Sequence, residues 1–304
     1  MNLKKLGLTA LAGSLVASSA IAGALDVTGT SKITYASKHN TEVTGNPFSM
    51  NTTFGFAGSG ELDNGGTMSY SYTMANSAFS ASSIKLDLGD SGEIAFGNSA
   101  SVAGQKKYAD VVPTAGEQVY DDVDATDNGM ADNVSNANMI GYNGSFGGLT
   151  ISLGWAKADA GSDSSWAVQY PDLIDGLTIG FSMGDNGNTS AGTDDTSAWL
   201  KYTSGAITAA WQRSEVDYVA SGTNDQESNH VGISFAVNDG LTVSAGRQTV
   251  DMGAGKVDET SQGVAASYTV GSLTVAAHAN QTDDVGGTSG TDDSVTEVSV
   301  AFAF

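Results

Sequence analysis

Apolar and polar residues alternate with a period of two along almost the whole chain. In segment 67–75, TMSYSYTMA, a methionine or tyrosine follows every serine and threonine. Such a pattern places apolar and polar side chains on opposite faces of a β-sheet. It predicts sixteen strands, near residues 25–37, 51–58, 67–75, 84–88, 93–97, 136–144, 149–158, 165–170, 176–183, 196–203, 206–214, 229–236, 240–250, 259–268, 272–281 and 294–304.

The predicted connections between these strands alternate between short turns and long polar loops. The turns lie at 63–66, 89–92, 145–148, 171–176, 204–205, 238–240 and 270–272. The loops lie at 38–49, 75–82, 98–135, 159–164, 184–195, 214–229, 250–259 and 282–293. In an up-and-down sheet all turns then lie at one end and all loops at the other. This asymmetry and the even strand number are typical of an outer-membrane β-barrel.

The composition of the two predicted faces agrees with a barrel in a membrane. Sixteen strands enclose a lumen too wide for side chains to fill, so we expect it to hold water. Aromatic residues on the apolar face fall near strand ends, as interfacial girdle residues should. They are Tyr35, Tyr70, Trp155, Trp166, Tyr202, Trp211 and Tyr268. A soluble β-rich protein is the alternative, because its sheets also alternate.

The N-terminus predicts export. Lys4 and Lys5 precede a short apolar stretch, and small residues then offer cleavage after Ala22 or as late as Ala24. This is the layout of a secretory signal peptide, predicted at 1–22, with a barrel domain at 23–304. An uncleaved membrane anchor is the alternative. After the signal, no run approaches the roughly 20 apolar residues that a transmembrane helix needs.

The chain is strongly acidic, with a formal net charge of −22 and no cysteine. Loss of the two signal-peptide lysines leaves 10 basic against 34 acidic residues, or −24. Such a charge repels the phosphates of nucleic acid, so a nucleic-acid partner is not expected. It favours a solvated surface or a site that handles cations.

The whole mature segment resembles the general porins of Gram-negative bacteria, closest to the alphaproteobacterial type. The resemblance rests on the exported N-terminus that enters ALDVTGTSKITYAS, the sixteen-strand alternation and the ending EVSVAFAF. It implies a homotrimer in the bacterial outer membrane, in contact with lipid and lipopolysaccharide, through which small hydrophilic solutes diffuse without a cofactor. It also implies that the terminal Phe304 is read by the barrel-insertion machinery, and that the third loop, 98–135, folds into the pore.

That third loop contains VYDDVDATDNGMADN (119–133), with five aspartates and no lysine or arginine. We expect some or all of its acids to line a pore constriction and to favour cations. The candidates are Glu117, Asp121, Asp122, Asp124 and Asp127. The alternative is that they only solvate a loop on the outer surface.

The facing wall departs from better-known porins, which place a cluster of arginines opposite the acidic loop. Here the mature segment has only Arg213 and Arg247, and both have the parity of the lipid face. The charged residues with lumen parity are Lys32, Lys85, Asp87, Glu93, Lys201 and Glu297. We therefore expect a sparse basic wall. A substrate-specific channel is a second interpretation, although no ladder of aromatic or basic lumen residues favours it.

Other chemistry has weaker support. GFSMG (180–184) matches the G-x-S-x-G elbow around Ser182, but no helix can follow it, so a strand is the simpler interpretation. Among the histidines, His39, His230 and His278, we expect only His278 to lie in mid-strand with lumen parity. A phospholipase-like barrel enzyme and an adhesin therefore remain lesser alternatives.

Metal chemistry is also weakly indicated. DATDNG (124–129) begins like an EF-hand but lacks the glutamate at the twelfth position. Loose calcium or magnesium binding at acidic pairs in the loops is an expectation without a specific motif. These pairs are Asp194 with Asp195, Asp283 with Asp284, and Asp292 with Asp293.

Overall fold

A computed structural model describes residues 25–38, 46–127, 138–158, 161–188, 190 and 192–304. The predicted signal peptide and His39 lie outside these ranges. The described residues form sixteen strands: β1 (Asp26–Lys38), β2 (Phe48–Glu61), β3 (Thr67–Ala75), β4 (Ala78–Asp87), β5 (Glu93–Asn98), β6 (Met139–Phe146), β7 (Leu149–Ala158), β8 (Gly161–Ile174), β9 (Leu177–Asn186), β10 (Thr193–Ser204), β11 (Ile207–Tyr218), β12 (Gln226–Ala236), β13 (Leu241–Asp251), β14 (Glu259–Val270), β15 (Leu273–Asp283) and β16 (Asp293–Ala303).

Each strand pairs with its sequence neighbours in antiparallel fashion, and β1 pairs with β16 to close a barrel. The predicted sixteen-strand barrel is confirmed. Short 3-10 turns lie at Gly89–Ser91, Gln105–Tyr108 and Val285–Gly287. Within the described ranges, no helix has the length and apolar character needed to cross a membrane.

The outer wall carries the apolar face of the strands. Ile33 on β1, Leu200 on β10 and Ile233 on β12 expose about half of their surface, whereas their polar neighbours along each strand point inward. The predicted girdle residues lie on this outer face, and Trp211 is less exposed than the other six. The alternation therefore separates an apolar exterior from a polar lumen, as a membrane barrel requires.

The two ends of the barrel differ, as the connection lengths predicted. At the end we term the turn end, β6–β7, β8–β9, β10–β11 and β14–β15 are each joined by two residues. At the opposite loop end, two predicted loops are wrong. The loop expected at 75–82 is the two-residue turn Asn76–Ser77, and the loop expected at 159–164 shrinks to the two residues between Ala158 and Gly161.

The connection between β5 and β6 spans residues 99–138, and we term it the inner loop; its described residues 99–127 enter the barrel. Its described part, 99–127, packs small apolar clusters against the lumen wall. One contains Ala103 and Met139, and another contains Tyr108 and Trp199, whose rings stack with centroids 4.9 Å apart. A Cβ on Gly180 would overlap the Trp199 indole, so glycine there provides room for the tryptophan.

Candidate functional site

The inner loop is fastened to the wall near its start by serine hydroxyls. Gly104 N–H donates to Ser152 Oγ at 2.8 Å, and Gln105 N–H donates to Ser165 Oγ at 3.1 Å. A Cβ on Gly141 would overlap Ala103, so a bare backbone lets the loop approach β6 closely. These contacts hold the root of the inner loop against β6, β7 and β8.

The middle of the inner loop crosses the lumen to the far wall. Ala115 N–H donates to Ser244 Oγ at 2.8 Å on β13. The buried amide of Asn280 on β15 donates to the carbonyl oxygens of Gln118 and Asp121, at 2.8 and 3.0 Å. We term residues 117–122 the acidic centre of the inner loop. Its Gln118 and Asp121 carbonyl groups thus accept hydrogen bonds from the wall, as buried backbone groups must.

Beyond this point, residues 123–127 run toward the loop end, and we term them the return arm of the inner loop. Thr126 N–H donates to Glu259 Oε1 at 2.6 Å, and Gln248 Nε2 donates to the carbonyl oxygens of Thr126 and Asp127. Asp124 N–H donates to Asp293 Oδ2 at 2.9 Å. Glu259 and Asp293 are the first residues of their strands, so this return arm lies near the rim of the barrel.

The acidic centre of the inner loop faces β1, β2 and β16 across a water-accessible recess of about 480 Å³. Three of the predicted loop acids, Glu117, Asp121 and Asp122, line this recess. The wall contributes Lys32 and Glu297, which were both predicted to face the lumen. Four carboxylates and one ammonium group therefore border the space between loop and wall.

Lys32 lies between two of these carboxylates. Its Nζ is 3.7 Å from Glu117 Oε1 and 3.9 Å from Glu297 Oε1. Both separations exceed those of a charge-assisted hydrogen bond, which are about 2.7–2.9 Å. The lysine thus offsets part of the negative charge without neutralising the recess.

Asp121 is partly buried beside the recess. Burial raises its pKa to about 6, although the hydrogen bond from Gln118 N–H opposes the rise and Glu117 and Asp110 add to it. The carboxylate is therefore largely ionised at neutral pH. Burial also raises the pKa of Tyr120, whose hydroxyl donates to Asp110 Oδ1 at 2.8 Å.

The other predicted site residues lie elsewhere. Asp124 and Asp127 are exposed on the return arm, apart from the recess. Lys85 and Glu93 form an ion pair of 3.3 Å between β4 and β5, while Asp87 accepts a hydrogen bond from Gly89 N–H in a turn. Lys201 borders a second recess, of about 620 Å³, between the inner loop and β10 to β12.

The inner loop itself also carries a basic side chain, Lys107, that contacts the barrel wall. Burial lowers the pKa of Lys107, and Glu93 opposes this fall while Lys85 adds to it. Lys107 Nζ donates to Asn143 Oδ1 at 3.0 Å on β6. The sequence pattern did not single out this lysine, because its approach to the wall depends on the path of the loop.

The arginines have the orientation that their parity predicted. Arg213 on β11 lies on the outer face, where its Nη2 contacts Glu227 Oε2 at 2.6 Å and Glu215 Oε1 at 3.0 Å. Arg247 is exposed and is the cross-strand partner of Val231, an outward residue. Neither arginine belongs to the wall opposite the acidic centre.

The G-x-S-x-G motif lies entirely within β9, so it is not an elbow between strand and helix. Ser182 is buried between its cross-strand partners Ala167 and Ser197, and Gly180 accommodates Trp199. The expectation that only His278 lies in mid-strand is wrong, because β12 extends to Gln226 and buries His230 as well. These histidines lie on β12 and β15, at least three strands from Ser182.

Comparison with known proteins gives consistent results. A search of curated proteins found no match. Among solved structures, a porin refined at 1.8 Å resolution matches with a TM-score of 0.70 and 15% identity, covering 92% of this chain and 100% of that one. OmpT of Vibrio cholerae matches at 0.70 and 12%, covering 93% and 98%. OmpF of Salmonella typhi, in complex with daunomycin, matches at 0.65 and 16%, also covering 93% and 98%.

At these identities the structures establish a shared fold alone. The sequence itself carries the family assignment, because the model of the Gram-negative porin family matches residues 7–304. This match spans nearly the whole chain, including every strand of the barrel. The protein is therefore a member of the Gram-negative porin family, a channel of the outer membrane.

Proposed function

We propose that the protein is a passive, cation-preferring diffusion channel for small hydrophilic solutes and ions. The observation that carries this proposal is the recess between the inner loop and the wall. There Glu117, Asp121, Asp122 and Glu297 face a single lysine, Lys32. The excess of carboxylates attracts cations and repels anions at the point where the loop narrows the lumen.

The expected size of this preference follows from Coulomb's law. In an aqueous pore with a dielectric constant of about 80, one unit charge about 8 Å from a permeating ion changes its energy by about 0.5 kcal/mol. Each uncompensated carboxylate then changes the local cation concentration roughly twofold. Three of them together change it by roughly one order of magnitude at low ionic strength, and less in high salt because of screening.

We extend the proposal to the surroundings of the barrel. The apolar outer face fits outer-membrane lipid, and lipopolysaccharide is expected around the loop end. A homotrimer is proposed by analogy with Vibrio cholerae OmpT, one of whose solved structures is described as a trimer form. The alphaproteobacterial subtype, export by the signal peptide, the role of Phe304 in insertion and the lack of a cofactor all stay predictions.

The proposal is tested by planar-bilayer recording of reversal potential across a salt gradient. The triple variant Glu117→Gln, Asp121→Asn and Asp122→Asn removes three charges from the recess. We expect wild type to favour cations, and the variant's cation-to-anion permeability ratio to be at least roughly tenfold lower at low ionic strength, because each removed carboxylate lowers the cation concentration and raises the anion concentration.

A matched control removes three charges from the outer face. Asp185, Asp194 and Asp217 are exposed on neighbouring strands β9, β10 and β11, outside the lumen. Their conversion to asparagine should leave the reversal potential close to wild type. An equal response of the two triple variants would contradict an acidic constriction, and an anion preference in wild type would overturn the selectivity altogether.

A further inference from the structure

Asp122, His278 and Glu297 converge from three parts of the fold on one side of the recess. Asp122 belongs to the inner loop, His278 to β15 and Glu297 to β16, where His278 and Glu297 are direct cross-strand partners. One potential metal-ligand atom from each residue lies within 4.8 Å of the other two. The Asp122 Oδ2 to His278 Nε2 separation is 3.4 Å.

The histidine gives the cluster a feature that an acidic patch alone would lack. The His278 side chain is only 5% exposed, and its buried Nε2 has no hydrogen-bond partner among the residues that the structure describes. Leaving a buried polar atom unsatisfied costs about 1–3 kcal/mol. A nitrogen held in this position beside two carboxylates is a ready ligand for a cation.

The nearby lysine does not complete this cluster. Lys32 Nζ approaches Glu297 only to 3.9 Å and lies about equally near Glu117. Asp122 keeps 40% of its side chain exposed, which leaves a path from the water-filled recess to the three ligand atoms. A cation that travels through the pore can therefore reach them.

The donor set selects the kind of cation. One imidazole nitrogen with two carboxylate oxygens suits first-row transition metals such as Zn²⁺, whereas Ca²⁺ and Mg²⁺ prefer oxygen ligands throughout. A tetrahedral zinc site with bonds of about 2.0–2.1 Å separates its ligand atoms by about 3.4 Å. The Asp122–His278 separation already has this value, and the other two ligand-atom separations are at most 4.8 Å.

We propose that Asp122, His278 and Glu297 form a binding site for a divalent transition-metal cation, which would tie the inner loop to the wall and lower cation selectivity. The site rests on the geometry, and its effect on selectivity rests on the proposed function. Bound metal adds two positive charges to the recess and engages two of its four carboxylates. Three protein ligands leave the remaining positions to water.

Zinc affinity is measured by competition with a chromophoric chelator, on untagged, EDTA-treated protein in detergent at neutral pH. We expect one Zn²⁺ per chain, and an equal concentration of Mg²⁺ should not displace it. Asp122→Asn, at a half-exposed loop position, keeps the fold intact, and His278→Gln removes the nitrogen ligand. Each should weaken binding by at least the roughly 10- to 100-fold that is typical when a metal ligand loses its supporting partner.

The matched control is His230→Gln. His230 is also buried, and within the described part of the chain its Nε2 likewise has no hydrogen-bond partner and it does not join the carboxylate cluster. Its replacement should leave zinc affinity unchanged. Equal affinity in wild type, Asp122→Asn and His278→Gln, or no zinc binding by wild type, would overturn the site.

Bilayer recording separates this proposal from the proposed function. Added Zn²⁺ should move the wild-type reversal potential toward zero, and EDTA should restore it. Zinc binding that depends on Asp122 and His278 in a channel without cation preference would leave the site standing and refute the selectivity. Cation preference without zinc binding would do the reverse, and bound zinc without effect on the current would contradict the placement of the site on the ion path.

Discussion

The acidic centre of the inner loop is held in place by one side chain in particular. Asn280 is buried at 4% exposure, and its Nδ2 donates to the carbonyl oxygens of Gln118 and Asp121. A Cβ on Gly263 would overlap Asn280 Oδ1, so this cross-strand partner gives the amide its room. Asn280 therefore sets the depth at which the loop acids lie in the lumen.

We predict that Asn280→Leu loosens the loop. The variant keeps a side chain of similar size but removes the donor to Asp121 O and leaves Gln118 O with only the 3.1 Å bond from Asp121 N–H, at a cost of about 1–3 kcal/mol in the free energy of unfolding. Open-channel current noise should rise because the acidic centre moves relative to the wall. Single-channel recording measures the noise, and denaturant unfolding measures the stability.

Gln281→Leu is the control, because Gln281 is the next residue, exposed on the outer face, and its amide donates to Asp283 on its own strand. It should resemble wild type in both measurements. Unchanged noise in Asn280→Leu, or equal noise in the two variants, would show that other contacts position the loop.

At the scale of single residues, the sequence predicts to which face of the sheet a side chain points but not which other side chains it contacts. Strand parity predicts that Lys32 and Glu297 point toward the lumen, and both side chains border the recess. Glu297 lies beside His278 because of the register between β15 and β16. Both lie close to Asp122 because of the depth at which the inner loop crosses the lumen. Neither quantity follows from the alternation of polar and apolar residues.

At the scale of elements, the return arm of the inner loop depends on Glu259. This glutamate is only 1% exposed; its Oε1 accepts Thr126 N–H at 2.6 Å and its Oε2 accepts Gly286 N–H at 2.7 Å. It thereby joins the inner loop to the last connection at the loop end, between β15 and β16. The Glu259 carboxylate holds both loops because each of its oxygens accepts a hydrogen bond from a different backbone N–H.

We predict that Glu259→Gln releases one of these loops. The amide keeps one acceptor oxygen, but its NH₂ group faces a backbone N–H in place of the second, so one hydrogen bond is lost and both the backbone N–H and the NH₂ group lack an acceptor. The free energy of unfolding should fall by about 1–3 kcal/mol. Limited proteolysis should become faster within the inner loop or within residues 284–292.

Glu227→Gln is the matched control, since Glu227 pairs with Arg213 on the outer face and contacts neither loop. Exposed ion pairs contribute about 0–1 kcal/mol, so its stability and proteolysis should remain close to wild type. Protection of both loops in Glu259→Gln would mean that Gln248 and Asp293 hold the return arm without it.

The elements also show where a period-two pattern fails. The turn Asn76–Ser77 was predicted as part of a loop because NSAFSASS lacks regular alternation. The structure explains the irregularity by a β-bulge, in which Thr73 pairs with Ala81 and Met74 with Phe79, leaving Ser80 unpaired. An extra residue in one strand reverses the faces beyond it, which hides a strand from any test of strict alternation.

At the scale of the whole molecule, the barrel is closed by its last residue as well as by its last strand. Gly29 N–H donates to Phe304 O at 2.7 Å, and Phe304 N–H donates to Gly29 O at 2.9 Å. The Phe304 ring covers Gly29 and lies 6.0 Å, centroid to centroid, from both Phe54 and Phe302. Phe304 thus has a structural role beside its predicted role as an insertion signal.

These two roles predict different outcomes for Phe304→Ala, with Phe302→Ala as the matched control on the same face of β16. Both variants remove one aromatic ring from the same group, and an aromatic pair contributes about 0.5–1.5 kcal/mol. The backbone bonds to Gly29 survive in both, so thermal unfolding of the refolded barrels should change by similar small amounts. In cells, an insertion signal at the terminal ring makes Phe304→Ala reach the outer membrane several-fold less than Phe302→Ala, as measured by fractionation and immunoblotting. Equal levels of the two variants would assign Phe304 to barrel closure alone, because weaker ring packing affects both variants alike, whereas recognition of the terminal residue affects only Phe304→Ala.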